Sequence, residues 1–266
     1  TFACYTSVDY TKKCVSSISE LGPSLSDVVI VNNGSTDETH TYLMTIPNIT
    51  IIENKKNLGC GVAWNQGILA HQSEWTVIMN NDVVVTQGWC DSLIETAENN
   101  NLKIVSPALI EGSLNYDLEE FTKIACKKMR TVLRRDRAHA VCLAVHESVW
   151  MKIGYFWPNP SLWGFEDTLF FHAAQKASIP MAITGSSWLH HFGSITQSEM
   201  KRERKLSEKD GLSGRYNYKL LGESWFERKL RQFRNRQLSK KYHDQEISAF
   251  GMTLHGVRRD NHFDWL

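Results

Sequence analysis

The chain has 266 residues, 42% hydrophobic and 22% charged, with a formal net charge of +1. That is enough chain to bury a sizeable core, in one large domain or in one domain with an appendage, and the composition excludes a disordered or fibrous protein. No apolar run approaches the roughly 20 residues of a membrane span, and Lys12 and Lys13 lead into a mixed segment, not the apolar stretch of a signal peptide. The chain starts at Thr1 without Met, as a trimmed chain or a piece of a longer protein would.

The charge is unevenly spread. Residues 201–266 carry 16 basic and 9 acidic side chains, whereas residues 1–200 carry 14 and 20. That asymmetry suggests that the basic end meets something anionic. The six cysteines, Cys4, Cys14, Cys60, Cys90, Cys126 and Cys142, form no CxxC pair. Scattered thiols in apolar contexts are expected of a chain kept in a reducing cytosol.

Phe2–Tyr5 reads as a short first strand, with Thr6 and Ser7 at its polar exit. From Asp9 to Leu21, the residues Cys14, Val15, Ile18 and Leu21 share one helical face, and Gly22-Pro23 ends the helix. Val28–Val31 is a buried, all-β-branched strand. It runs into Asn32-Asn33-Gly34-Ser35-Thr36-Asp37, a loop that enters a helix over Glu38–Met44. Backbone N–H groups there suit a nucleotide, although every α/β protein has such turns. Ile49–Ile52 is a third strand, 54–61 (NKKNLGCG) a polar Gly-rich loop, and Val62–Ala70 a helix.

The stretch Trp75–Trp89, WTVIMNNDVVVTQGW, organises the rest. Val77, Ile78 and Met79 make a buried strand, which Asn80, Asn81 and Asp82 stop with polar groups before Val83–Val85 resume. A polar triplet there places one carboxylate, Asp82, at the rim of the sheet, where open α/β sheets bind their ligands. One carboxylate with amide neighbours suits a divalent ion that takes its other ligands from phosphate and water. A hairpin turn made by Asn-Asn-Asp is the simpler alternative. The alternation of strands and helices predicts an α/β fold with a mostly parallel sheet.

Asp91–Asn99 is a helix and Ile104–Ile110 another strand. The segment 111–137 is rich in Lys and Arg, read either as a solvated loop or as a phosphate-binding one. Ala140–Val145 is a strand, Glu147–Ile153 a short helix, and Tyr155–Trp163 an aromatic-rich loop. Glu166 and Asp167 open a helix that runs from Thr168 to Ala177, where two acids also suit the helix dipole. Met181–Thr184 is the last expected strand, followed by Trp188-Leu189-His190-His191. Imidazole is the commonest side-chain metal ligand, so the His pair is a candidate. In the tail, Phe226, Leu230 and Phe233 recur at helical spacing among Arg228, Lys229, Arg231, Arg234 and Arg236. This basic amphipathic helix has three readings: docking on the domain, contact with an anionic membrane surface, or self-association.

Together the loop 32–37, the triplet 80–82, the acidic pair 166–167 and the His pair 190–191 resemble the inverting glycosyltransferases of family 2, with the GT-A fold. The resemblance covers about residues 1–200, through VVIVNNGSTDET, NLGCGVAWNQGI, VIMNNDVVVTQGW, GFEDTLFFHAA and LHHFGSIT. Its second and third motifs are most similar to the rhamnosyltransferase-like branch of polysaccharide enzymes, with NND in place of DxD. RYNYKLLG at 215–222 is similar to a further element of that branch, with Leu221 in place of Trp.

The resemblance implies transfer of a sugar from a nucleotide diphosphate donor, linked to UDP, dTDP or GDP, to a hydroxyl of a glycan or lipid-linked acceptor. Asp82 would hold Mn²⁺ or Mg²⁺ against the diphosphate, with His190, ahead of His191, completing the ligands or binding phosphate. Asp167 matches the family's catalytic base, and Glu166 would orient it or the acceptor. Thr6 and Asn32 match positions that hold the nucleobase, with Asn57 nearby and Asn80 and Asn81 beside the donor. Two departures stand out: Asn32 replaces the family's usual Asp, and Leu169 replaces an acid often found two residues after the pair.

The expected organisation is a GT-A domain over 1–200 and a basic helical C-terminal extension over 201–266. The expected location is cytoplasmic, with peripheral membrane contact through 201–243. Self-association stays open, and no nucleic acid is expected as a partner. The competing functions are a non-catalytic GT-A-like module of a larger assembly protein, and a nucleotidyltransferase.

Overall fold

The computed structural model describes residues 1–158, 165–193, 195 and 220–266. Its first half follows the expected alternation: β1 (Phe2–Cys4), α1 (Val8–Leu21), β2 (Val29–Asn32), α2 (Thr39–Leu43), β3 (Thr50–Glu53), α3 (Cys60–Ala70), β4 (Trp75–Asn80), β5 (Val83–Val84) and α4 (Trp89–Asn99). Then come β6 (Ile104–Gly112), α5 (Leu118–Met129), β7 (Leu133–Arg135), β8 (Cys142–His146), α6 (Glu147–Ile153), α7 (Glu166–Lys176), β9 (Met181–His191), α8 (Trp225–Phe250), β10 (His255–Arg259) and β11 (His262–Trp265).

The described strands join in one sheet, in the path β3-β2-β1-β4-β8-β6-β10-β11. The first four run parallel, which brings their carboxyl ends, and so Thr6, Asn32 and Asp82, to one rim. β8 is antiparallel to both β4 and β6. β9 runs parallel to β6 and carries β5 and β7 antiparallel on its other side. Helices cover both faces. One core packs α1 and α4, with Cys14, Ile18, Trp89 and Leu93, against the sheet. A second packs α3, α6 and α7 through Trp64, Trp150 and Phe170.

Three parts differ from the sequence expectations. β9 continues past Thr184 to His191, with Gly185-Ser186-Ser187 forming a bulge opposite Pro107 and Ala108. The region from 201 is not simply a helical extension. β10 pairs parallel with β6, and β11 closes a hairpin on it, so the chain's end completes the main sheet. Met252 and Leu254 are buried there with Trp188 and Met129. The basic segment 127–137 is the end of α5 and the strand β7 rather than a loop; Lys127, Lys128, Arg130 and Arg135 are exposed on it, and two cations are used within the fold. Arg134 makes a two-pronged bond to the buried Glu246 of α8, at 2.7 and 2.9 Å, and Arg137 holds Asn235 of the same helix. Residues 215–219, with most of the motif 215–222, lie outside the described residues.

α8 itself starts with a capping box, Ser224 and Glu227 exchanging bonds with each other's backbone, and ends at Gly251 in the left-handed region. Among the described residues no helix is long and apolar enough to cross a membrane, and all six cysteines are free.

Candidate functional site

The rim is built first by the loops. Asn32 is buried and donates to Glu53 Oε2 at 2.8 Å, while its Oδ1 accepts from the Ser35 N–H. Asn33 clamps the 54–61 loop: it donates to Asn57 and to the Gly59 carbonyl and accepts from Asn54 and the Leu58 N–H. Gly34, at φ +79°, lets the two loops touch, since a Cβ there would lie 2.5 Å from the Lys56 carbonyl carbon. Thr6 is buried with a positive φ, and its N–H donates to Ser35 Oγ. The sequence singled out Thr6, Asn32 and Asn57, and the structure brings them to one place. Two of their side chains are nonetheless engaged in holding the loops. Asn81 also turns inward, donating to Thr11 of α1, and the Asn80 carbonyl accepts from Cys14.

Asp82 is buried at the end of this rim. β5 pairs Val83 with His191 and Val84 with His190, so the strand pairing brings the His pair to the carboxylate. Side chains alternate along a strand, and only one imidazole faces it. His191 Nε2 lies 3.3 Å from Asp82 Oδ1. His190 points the other way, with Nδ1 3.0 Å from the Tyr116 hydroxyl and its ring against Phe192. The sequence put His190 ahead of its neighbour; the strand's alternation puts His191 on Asp82.

Glu111, at the end of β6, completes a relay that the sequence did not reveal. Its Oε1 accepts from His191 Nδ1 at 3.0 Å, and its Oε2 faces His255 Nε2 of β10 at 3.3 Å. Burial disfavours a charge on His191, but the facing carboxylates of Asp82 and Glu111 outweigh it and hold the imidazole up to about 9. His191 and His255 in turn hold Glu111 well below the usual carboxylate range. His190 has no such partner and burial lowers it to about 4.

A divalent ion fits between Asp82 and His191. A carboxylate oxygen and an imidazole nitrogen are suitable donors, and the buried Nε2 has no aligned hydrogen bond. Their 3.3 Å separation is close to the roughly 3.0 Å between adjacent ligands of an octahedral ion with bonds of about 2.1 Å. Glu111 fixes the tautomer from behind, the usual arrangement for a ligating histidine. Among the described residues no third His, Cys, Asp or Glu joins them as a cluster.

Glu166 and Asp167 begin α7 behind Phe165, which sits in the left-handed region at φ 77°. A non-glycine residue held there marks a turn fixed by its surroundings. Glu166 is buried against α3, where a Cβ on Gly61 would lie 3.2 Å from its own Cβ, and its Oε2 has no partner. Burial raises its carboxyl, and the neighbouring Asp167 adds to this. Asp167 is half-buried and accepts from the Thr168 N–H at 2.6 Å. The half-buried Cys60, first residue of α3, ties the pieces together. Burial first, then the charges of Glu166, Asp167 and Asp82, push its thiol well up.

An α/β sheet with a rim at the ends of β1, β2 and β4, and with acids just after β4 and at the start of α7, defines the GT-A class of fold. The chain belongs to glycosyl transferase family 2, whose family model matches residues 2–171. It is 28% identical over 101 residues to an uncharacterized glycosyltransferase of Haemophilus influenzae, a match that takes in 36% of this chain and 31% of that relative. The chain thus spans about a third of the curated relative it matches. Among solved structures it is similar to S. aureus TarS in complex with UDP-GlcNAc, with a TM-score of 0.54 and 14% identity over 71% of this chain and 57% of that one. It is also similar to GalNAc-T7 with UDP, GalNAc and Mn²⁺, with a TM-score of 0.57 and 13% identity over 72% of this chain and 43% of that one.

Proposed function

We propose that the protein is an inverting, metal-dependent hexosyltransferase of polysaccharide assembly. It moves a sugar from a nucleotide diphosphate donor to a hydroxyl of a glycan or lipid-linked glycan. The observation that carries this is the Asp82–His191 pair, 3.3 Å apart and backed by Glu111. Those two side chains would hold Mn²⁺ or Mg²⁺, which when bound supplies Lewis-acid neutralisation of the departing diphosphate. Two of the structural neighbours were solved with UDP or UDP-GlcNAc, one of them with Mn²⁺, which supports UDP as the first donor to try, ahead of dTDP and GDP.

The chain's own residues do the rest. The loops built by Asn32, Asn33 and Asn57, with Thr6 beside them, shape the nucleobase end, and Asn80 and Asn81 hold the strand end in place. Asp167 takes the proton of the attacking hydroxyl. Glu166, buried at the same helix start, orients Asp167 or the acceptor. The half of the tail that is described supports a peripheral role at the cytoplasmic membrane face: Phe226 and Phe233 are 68% and 60% exposed on α8, amid Lys229, Arg236 and Lys240.

Incubation with Mn²⁺ and a panel of nucleotide sugars tests the proposal. Release of the nucleoside diphosphate with sugar transfer supports it. Pyrophosphate release would identify a nucleotidyltransferase, and silence with every donor a non-catalytic module.

A further inference from the structure

A cleft of about 500 Å³ opens beside the Asp82–His191 pair. Its walls are Tyr10 and Lys13 of α1, Gly112 after Glu111, Phe192 after His191, and Arg258 and Arg259 of β10. Phe192 joins it to the site, because its N–H donates to the Asp82 carbonyl at 2.9 Å. The Phe192 ring meets Tyr10 edge-on, and Lys13 Nζ lies over both rings, at 4.8 and 5.4 Å.

Among the described residues the charge in this cleft is uncompensated. Arg258 is held over the Phe263 ring, at 4.6 Å, and donates to two neutral acceptors, Asn115 Oδ1 and the Asn261 carbonyl. Lys13 and Arg259 are exposed. Among the described residues none of the three cations pairs with a carboxylate, and nearby Glu111 is engaged by two imidazoles. A concave surface lined by one sign of charge concentrates the opposite sign. Arginine also offers phosphate a fixed, two-pronged set of donors.

We propose that this cleft is a subsite for a phosphate group of the acceptor, so that the acceptor is a phosphate-bearing glycan. This rests on the reading that Asp82 and His191 engage the donor. Phosphate from the donor's own diphosphate has the same chemistry, and the test separates the two sources.

Glycerol phosphate is titrated calorimetrically into the full chain at constant ionic strength. The titration is run alone and after saturation with Mg²⁺ and whichever of UDP, dTDP and GDP binds best. The same titrations are run on a Lys13→Ala, Arg259→Ala double variant. Both side chains are exposed, so an unchanged melting temperature and unchanged nucleotide affinity are expected. Glycerol phosphate should bind the nucleotide-saturated protein, and the double variant should bind it about tenfold more weakly or worse, the scale of lost charge-assisted hydrogen bonds. Equal binding by both proteins overturns the subsite. Competition with the nucleotide reassigns the cations to the donor's phosphate and overturns the acceptor role. If no nucleotide binds at all, the donor reading fails on its own, whereas a parent chain that binds nucleotide but not glycerol phosphate overturns only the cleft.

Discussion

Replacing His191 by Ala should remove most of the metal-dependent affinity for a nucleoside diphosphate, and replacing His190 should not. The two residues are adjacent, yet the strand turns one toward Asp82 Oδ1, at 3.3 Å, and the other toward the Tyr116 hydroxyl, at 3.0 Å. A residue that hydrogen-bonds a metal ligand from behind is typically worth about 10–100-fold in affinity. Glu111→Gln keeps a hydrogen-bonding group against His191 Nδ1 but removes the charge, so it should fall in that range. His191→Ala removes one of the two protein donors themselves and should cost at least about 100-fold, or roughly 2.7 kcal/mol. His190→Ala loses a hydrogen bond to Tyr116, worth about 1 kcal/mol of stability, and should change affinity only a few-fold. Mn²⁺ titrated calorimetrically against each variant with saturating UDP, alongside melting temperatures, gives the order. If His190→Ala matched His191→Ala, or Glu111→Gln bound like the parent, the relay would not be the metal's mount.

Further outcomes follow from the same structure. Asp167→Asn should keep the fold and donor binding but lose transfer by about 10²–10⁴-fold or more, as a missing base does, and retention of a tenth of the activity would refute the role. Glu166→Gln should lower turnover less while raising the melting temperature at pH 7. Burial raises this carboxyl above its ordinary 4.5, so its contribution to stability is present below that value and is lost as the pH rises through the folded value. The advantage of Gln should therefore vanish in melts below about pH 4.5, and an advantage that persisted there would rule out the burial argument. Glu246→Gln, which strands Arg134 beside a neutral side chain, should cost about 3–5 kcal/mol, on the order of 10 °C in melting temperature; a neutral result would mean that the pair does not hold α8. Phe226→Ser with Phe233→Ser should reduce flotation with anionic liposomes, and flotation insensitive to anionic lipid or to the mutations would remove the membrane from the proposal.

The first half of the fold was legible because its signals are local. β2 is four consecutive buried residues, each visible as an apolar strand residue or its polar exit, and the helical faces of α1 and α4 repeat at regular spacing. The chain's end was not legible in the same way, although one signal was present. β10 and β11 join through Asp260 and Asn261, both at positive φ, with Arg259 paired to His262. That is a two-residue hairpin turn of the type that Asp and Asn favour, and its strands were hidden by the charges of HGVRR and HFDW. Nothing local marks β10 as the parallel neighbour of β6, since Val257 meets Glu111 across 146 residues of chain.

The site divides along the same line. Asp82, Glu166 and Asp167 of the proposed site stand out in one dimension, as a polar interruption of an apolar strand and as an acidic pair at a helix start. Glu111, His255 and Tyr116 do not, because each becomes part of the site only through register. Glu111 pairs with His191 on one edge of β6 and with Val257 on the other, and the bulge at Gly185–Ser187 decides which imidazole faces inward. Lengthening or shortening that bulge by one residue would exchange the faces of His190 and His191, since successive side chains along a strand alternate. In the sequence the two histidines are equivalent neighbours; in the sheet, register alone gives His191 a carboxylate on each ring nitrogen and leaves His190 with a phenol.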